Sequence, residues 1–198
     1  VELDEIIEHA IEKGYLEEDI LFKPEDFDPN FLKLLHDDLE VLNYLNEDWD
    51  KEDTDPKFDK FKAVLASELM SPSINQGGKL VIFSESVDTL NYLYKKMTNE
   101  LGLNDVILVT SENRNKVGKV IKENFDANSR EKKNQYNIIL TSDVLAEGVN
   151  LHRSNVIVNY DSPWNATRLM QRIGRVNRIG SVADNIYNYM FYPSQQGN

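Results

Sequence analysis

The segment "NIILTSDVLAEGVNLHRSNVIVNY" (137–160) contains two runs, "NIILTS" (137–142) and "NVIVNY" (155–160), each built on three consecutive apolar residues. A strand with one wet face alternates apolar and polar residues, whereas a strand covered on both faces need not. Both runs therefore read as strands of a sheet covered on both faces. Working outward, "KLVIFS" (79–84), "VILVT" (106–110) and "IYNYMFY" (186–192) read as further strands. Helical spacing lies between them over Val87 to Leu101, Asn115 to Phe125 and about Asn165 to Arg178. Strands alternating with helices specify an α/β fold with a parallel sheet, right-handed crossovers and three layers. Ligands on such sheets bind at the carboxyl ends of the strands, so function is expected in the loops after Ser84, Thr110, Ser142 and Asp161.

Upstream, "DPKFDKFKAVLASEL" (55–69) sets Phe58, Phe61, Leu65 and Leu69 on one helical face, so this helix should pack on the sheet. The polar "SPSINQGG" (71–78) reads as a connecting loop. Residues 1–50 have helical spacing, with Ile6, Ile7, Ala10 and Ile11 followed by Leu32, Leu35, Leu39, Leu42 and Leu45. The two prolines of "KPEDFDPN" (23–30) mark a turn between those groups, and the acidic "NEDWDKEDTD" (46–55) reads as a solvated linker. The expected division is an acidic helical linker or insertion over 1–55 and a lobe over 56–198, with its sheet from about 79.

The 198 residues carry a formal charge of −12, unevenly spread: residues 1–78 hold 7 Lys/Arg against 22 Asp/Glu, and the remainder hold 15 against 12. A polyanion is held through Lys and Arg, so any nucleic-acid contact belongs to the second part. With no Cys, disulfides, thiolate catalysis and Cys-ligated zinc are excluded. His9, His36 and His152 lie far apart without ligand spacing, and no metal site is expected on this chain. No apolar run reaches the length of about 18 residues that a membrane span needs. A cytoplasmic location and no membrane partner are the expectation. The start at Val1, without an initiator Met, suggests an excised segment of something longer.

The chain is acidic, yet "LMQRIGRVNRIG" (169–180) bears Arg172, Arg175 and Arg178 at three-residue intervals, with Arg168 one turn before. At about 100° per residue the four fall within about a third of a helix circumference, with Gln171 among them, while Leu169, Ile173 and Val176 form a separate apolar flank. Clustered guanidinium groups must sit in water or meet an anion. Gly174 inside this helix costs about 1 kcal/mol relative to Ala and calls for a reason such as close backbone approach.

"QRIGRVNRIG" resembles motif VI of the superfamily 2 helicases and their relatives the Swi/Snf-type ATPases. "LTSDVLAEGVNL" (140–151) resembles their motif V, "VIFSES" (81–86) their motif IV, and "YDSPWN" (160–165) the segment joining V to VI. The motifs occur in order, each at a strand end, over about 120 residues. The resemblance implies the second RecA-like, P-loop-NTPase-like lobe of such an enzyme, a helicase C-terminal domain. The anion is then ATP, bound with Mg2+ mainly by a first lobe. Two motif VI arginines of the family reach that nucleotide across a cleft, and by position they match Arg175 and Arg178. A planar, permanently charged guanidinium stabilises the charge that develops in phosphoryl transfer.

The resemblance also implies that Gly148 turns close to the nucleotide, that Asn150 approaches its ribose, and that Gln171 and Arg172 belong to the ATP-binding set. Bracing of motif V or of the lobe interface is the other role open to Arg172, and Arg168 reads as a surface charge. Asp143 and Glu147, acidic residues in a loop facing phosphates, would be reconciled with that place by pairing with motif VI arginines. The nucleic-acid backbone is expected at Ser84, Thr110, Ser111, Thr141 and Ser142, whose hydroxyls stand beside backbone N–H groups at strand ends. The competing reading of each is a cap of the following helix. Trp164 could stack on a base, but after Pro163 at a strand exit it reads more readily as a packing anchor.

"DVLAEG" and Asn177 stand where Swi/Snf ATPases usually have a Gly-rich motif V and a His. That departure puts the chain nearer to bacterial-type helicases or DNA-processing translocases than to chromatin remodellers. Neither a P-loop, GxxxxGK[ST], nor a DExx-type motif is found. The expected function is thus the second motor lobe of an ATP-dependent helicase or translocase acting on DNA or RNA, more readily DNA, with the first lobe of the same polypeptide as partner. By itself this chain should neither hydrolyse ATP nor bind it tightly. The alternative is a non-catalytic protein-interaction module derived from such a lobe.

Overall fold

The computed structural model describes residues 11–14, 26–49, 51, 54–143 and 149–192. The chain forms two compact units, Val1–Asp55 and Pro56–Asn198. In the first, helix α1 runs over Phe31–Trp49 with every residue exposed. It continues to Trp49, so the first part of the stretch expected to be a linker from residue 46 is helical instead. Nothing between Asn46 and Trp49 breaks a helix, and acidic composition alone does not stop one. The expected helical residues Ile6, Ile7 and Ala10 lie outside the described residues.

The second unit is built on five parallel strands, β1 (Leu80–Phe83), β2 (Val106–Val109), β3 (Ile138–Thr141), β4 (Val156–Asn159) and β5 (Tyr187–Met190), in the order β2-β3-β1-β4-β5. Leu80 pairs with Ile138 on one side and Val156 on the other, Val106 with Ile138, and Val156 with Tyr187. β1, β3 and β4 are buried along their whole length, as their continuous apolar runs predict. The flanking helices are α2 (Pro56–Val64), α3 (Val87–Lys95), α4 (Arg114–Phe125) and α5 (Ala166–Val176). α2 and α3 each widen into a π-helical turn, Leu65–Leu69 and Lys96–Glu100.

Two cores separate the layers because adjacent strand residues point to opposite faces. Leu80, Ile82, Leu140 and Val158 meet Phe58, Phe61, Leu65 and Leu69 of the α2 segment and Leu90, Leu93 and Met97 of the α3 segment. On the opposite face Val81, Phe83, Ile139 and Ile157 meet Ile121 and Phe125 of α4 and Val176 of α5. The helix over 55–69 therefore packs on the sheet as its spacing predicts.

Helix α5 ends two residues earlier than the sequence spacing suggests. Asn165 caps its start by accepting from the Arg168 N–H at 2.9 Å. At the other end Asn177, with φ −80° and ψ 88°, leaves the helical region, and the Arg178 carbonyl accepts from the Ser181 N–H at 3.0 Å across a turn that places Gly180 at φ +89°. Arg178 thus stands on a turn, and the four arginines do not share one helix. The left-handed backbone at Gly180 is available to glycine without strain, which lets the chain turn there.

Candidate functional site

β1 lies between β3 and β4, although neither neighbours it in sequence. The chain runs from β1 towards β2 at one edge and from β4 towards β5 at the other, a switch point at whose carboxyl strand ends a ligand crevice is expected. Arg172 of α5 stands there. Its side chain is fully buried, with Nε donating to Asp143 Oδ1 at 2.6 Å and Nη2 to Asp143 Oδ2 at 3.1 Å. Nη1 donates to Asn159 Oδ1 at 2.9 Å, and the guanidinium lies 5.1 Å from the Phe83 ring centroid. A fork-to-fork pair of this kind fixes orientation as well as distance. The exposed Arg168 adds Nη1 at 3.3 Å from Glu85 Oε1 and 3.5 Å from Asp143 Oδ2. Asp143 is therefore paired with Arg172 of motif VI and with Arg168 one turn before that motif, and Arg172 makes the contacts of a brace on motif V.

A second cluster secures the other loops. Ser84 donates its hydroxyl to Asp161 Oδ2, and Lys57 Nζ stands 2.8 Å from Asp161 Oδ1 and 4.2 Å from the Tyr160 ring centroid. Burial pushes the Asp161 carboxyl up, but the hydrogen bonds from Lys57 and Ser84 outweigh it and hold the group below its ordinary range. Ser84 and Thr141 are completely buried and Thr110 nearly so. The Thr110 N–H donates to Asn113 Oδ1, and Thr141 Oγ1 donates to the Ser142 carbonyl. Ser111 is exposed and Ser142 half-buried. At the described helix starts, Ser86 caps α3 by accepting from the Thr89 N–H at 3.2 Å, and Asn113 stands at the cap position of α4. Trp164 is 93% exposed, which overturns its reading as a packing anchor: the turn before α5 carries the indole out into solvent.

Motifs V and VI also meet through their backbones. The Leu151 N–H donates to the Arg175 carbonyl at 2.9 Å, and Asn150 Nδ2 donates to Asp126 Oδ2 at 3.4 Å. Arg175 is half-buried, Gln171 exposed, and Arg178 exposed with Nε donating to the Gly174 carbonyl at 3.1 Å. Gly148 and Glu147 lie outside the described residues. Close backbone approach does not explain Gly174, since nothing lies within 4 Å of where a Cβ would stand. Met170 and Ile179 are also exposed. Sequence reasoning missed Asn159, Lys57 and Asp126 as partners of the motifs. A polar residue closing an apolar strand was the one available signal, and it applied to Asn159 alone.

Among the described residues no group of three or more His, Asp or Glu could hold a metal, and no helix is long and apolar enough to cross a membrane. The arrangement presents guanidinium groups on a rigid support, which suits an anion.

Residues 57–180, more than half of the chain, match the helicase conserved C-terminal domain. The chain is 46% identical over 52 residues to an uncharacterized ATP-dependent helicase, YqhH, of Bacillus subtilis, covering 26% of this chain and 9% of that protein. It is 31% identical over 161 residues to the ATP-dependent RNA helicase DBP5 of Meyerozyma guilliermondii, covering 77% of this chain and 30% of that protein. The C-terminal part of the Fun30 ATPase domain has the same fold, with a TM-score of 0.52 at 18% identity over 68% of this chain and 40% of that one. The chain spans less than a third of the length of the two relatives matched by sequence. Ordered motifs, a RecA-like parallel sheet and the matched residues agree, and the chain belongs to the helicase conserved C-terminal domain family.

Proposed function

We propose that this chain is the second motor lobe of an ATP-dependent nucleic-acid helicase or translocase, and that Arg175 and Arg178 act on ATP and Mg2+ held mainly by the first lobe. The observation that carries this reading is the division of labour along "QRIGRVNR". Arg172 is buried and engaged with Asp143 and Asn159, while Arg178 stands exposed on a turn just beyond the helix end. A positive charge offered at a lobe surface is what phosphoryl transfer needs from a second lobe, because the charge that builds on the transferring group must be met without rearrangement. Asn150, Gln171 and Gly148 complete the proposed nucleotide-facing set, with Arg172 acting through motif V.

The nucleic-acid face is proposed at the carboxyl ends of the strands. There Ser111 and Ser142 keep accessible surface, while Ser84, Thr110 and Thr141 contribute through the backbone they hold in place. The exposed Trp164 supplies a stacking surface, which tolerates any base. DBP5 is named as an RNA helicase, so RNA stands beside DNA as substrate. The test is steady-state ATP hydrolysis by the two-lobed enzyme with RNA, single-stranded DNA or duplex DNA, beside Arg178→Ala. Loss of an arginine finger costs about 10³-fold or more. A folded variant that hydrolyses as fast as wild type would remove Arg178 from the chemistry and favour an interaction module.

A further inference from the structure

Residues 150–152, at the end of motif V and just beyond it, carry a second connection to the motif VI segment. Asp126, the residue after α4, is 6% exposed, and its carboxylate accepts two hydrogen bonds with a third group close by. Its Oδ1 takes the Asn128 N–H at 2.8 Å, its Oδ2 takes Asn150 Nδ2 at 3.4 Å, and His152 Nδ1 stands 3.7 Å from Oδ1. His152 is completely buried, and among the described residues neither ring nitrogen has a hydrogen-bond partner. Burying two unsatisfied nitrogens is unfavourable, so the ring is held there by what surrounds it.

The chain after Arg178 closes over that ring. A Cβ on Gly180 would lie 3.7 Å from Asn128 Oδ1 and 4.0 Å from His152 Cδ2 and Nε2, so Gly180 stands beside the imidazole. The Val182 N–H donates to the His152 carbonyl at 3.2 Å. One residue before His152, the Leu151 N–H donates to the carbonyl of Arg175, which lies ahead of Arg178 in the chain. Arg178 is therefore bracketed, with the Leu151 contact before it and the His152 contacts after it.

We propose that Asp126 and His152 act as a positioning pair that sets the turn bearing Arg178 and couples its placement to Asn150 of motif V. The proposal rests on the reading of Arg178 as an arginine finger. The pair works with His152 neutral. Burial lowers the tendency of the ring to take a proton, Asp126 raises it, and the charges of Arg178 and Lys132 lower it again. Among the described groups these three charges and the neutral Asn128 and Asn150 side chains surround the pair. A proton on His152 would strengthen its attraction to Asp126 and place a cation beside Arg178, moving the finger.

The experiment measures kcat and KM for ATP, as a function of pH, in the two-lobed enzyme with Asp126→Asn, His152→Asn, His152→Ala and the double Asp126→Asn/His152→Asn. Arg178→Ala is run alongside and melting temperatures are recorded. Misplacing a catalytic group by about 1 Å costs up to about 100-fold. The expected result is a kcat lowered about 10- to 100-fold in Asp126→Asn and His152→Ala with KM little changed. His152→Asn should recover part of that loss, since its amide places an N–H donor near the position of Nδ1, beside Asp126. The double variant should be no worse than the worse single one, and the acid limb of the wild-type kcat profile should be absent from His152→Asn. If His152→Ala does not fold, Asp126→Asn and His152→Asn carry the comparison. Wild-type kcat in both of those beside an inactive Arg178→Ala would overturn the pairing and leave the finger in place. Full activity in Arg178→Ala would overturn the finger itself, and the pairing with it.

Discussion

Arg172 is the residue on which the crevice depends. It is fully buried, and a guanidinium taken out of water is tolerated only when its donors are met. Asp143 meets two of them and Asn159 a third, with Phe83 beneath. Removing one partner of such a pair leaves the other charge uncompensated, at about 3–5 kcal/mol. The Asp143 side chain keeps 27% exposure, which lets water recover part of that cost. Arg172→Ala should therefore lower the unfolding free energy of this lobe by about 3 kcal/mol, read from urea unfolding, with Asp143→Asn costing less because its amide oxygen still accepts. An Arg172→Ala lobe as stable as wild type would show that the pair is decoration. By spacing alone the three arginines at 172, 175 and 178 are equivalent, and only the resemblance leaves Arg172 the other role of a brace. They differ because the strand ends supply a carboxylate and an amide at the first of them, which spacing along one helix does not reveal.

At the level of elements, all five strands were legible, since covered strands need apolar residues on both faces and few other segments of this chain supply them. The end of α5 was not. Helical periodicity continues through "RVNR", and the break comes from Asn177 leaving the helical region and from the turn at Gly180, a conformation that becomes visible only with tertiary contacts in place. The burial of Ser84 and Thr141 was hidden for the same reason, as was the emergence of Trp164. Glycines give a sharper comparison. A Cβ on Gly77 would stand 2.3 Å from the Arg153 carbonyl oxygen, a backbone atom with no rotamer to retreat to. On Gly174 it would meet nothing within 4 Å. Gly77→Ala should destabilise the lobe by about 1–3 kcal/mol as the β1 approach is forced away from the loop before β4. Gly174→Ala should stabilise it by up to about 1 kcal/mol. Thermal melts of the two variants shifting in the same direction would contradict this.

For the molecule as a whole, the titrating groups set a direction for stability against pH. A group that binds protons less readily folded than unfolded makes stability rise with pH, and the reverse holds for one that binds them more readily. His152 falls in the first class through burial, and Glu123 through its hydrogen bond from Lys133. Asp161 joins them because the bonds from Lys57 and Ser84 outweigh its burial. Their contributions are complete above the ordinary values of 6.5, 4.5 and 3.8 and are lost as pH falls below them. Lys79, buried at the start of β1 with Nζ donating to the Tyr136 carbonyl and Asn137 Oδ1, is lowered to about 8, chiefly by burial. It also adds stability as pH rises, between about 8 and its ordinary 10.5. In the second class are Lys133, raised by Glu123, and Tyr189, raised first by burial and then by Glu68. They withdraw stability once pH passes their ordinary values of 10.5 and 10.0. The stability of the lobe should therefore descend in two steps on acidification, one beginning near pH 6.5 and a second below about 4.5, with the alkaline side held up by Lys79 until Lys133 and Tyr189 titrate. His152→Asn should abolish the first step and leave the second, as read from urea midpoints between about pH 2 and 8. An unaltered first step in that variant would assign it to another group and remove His152 from the acid response of the fold.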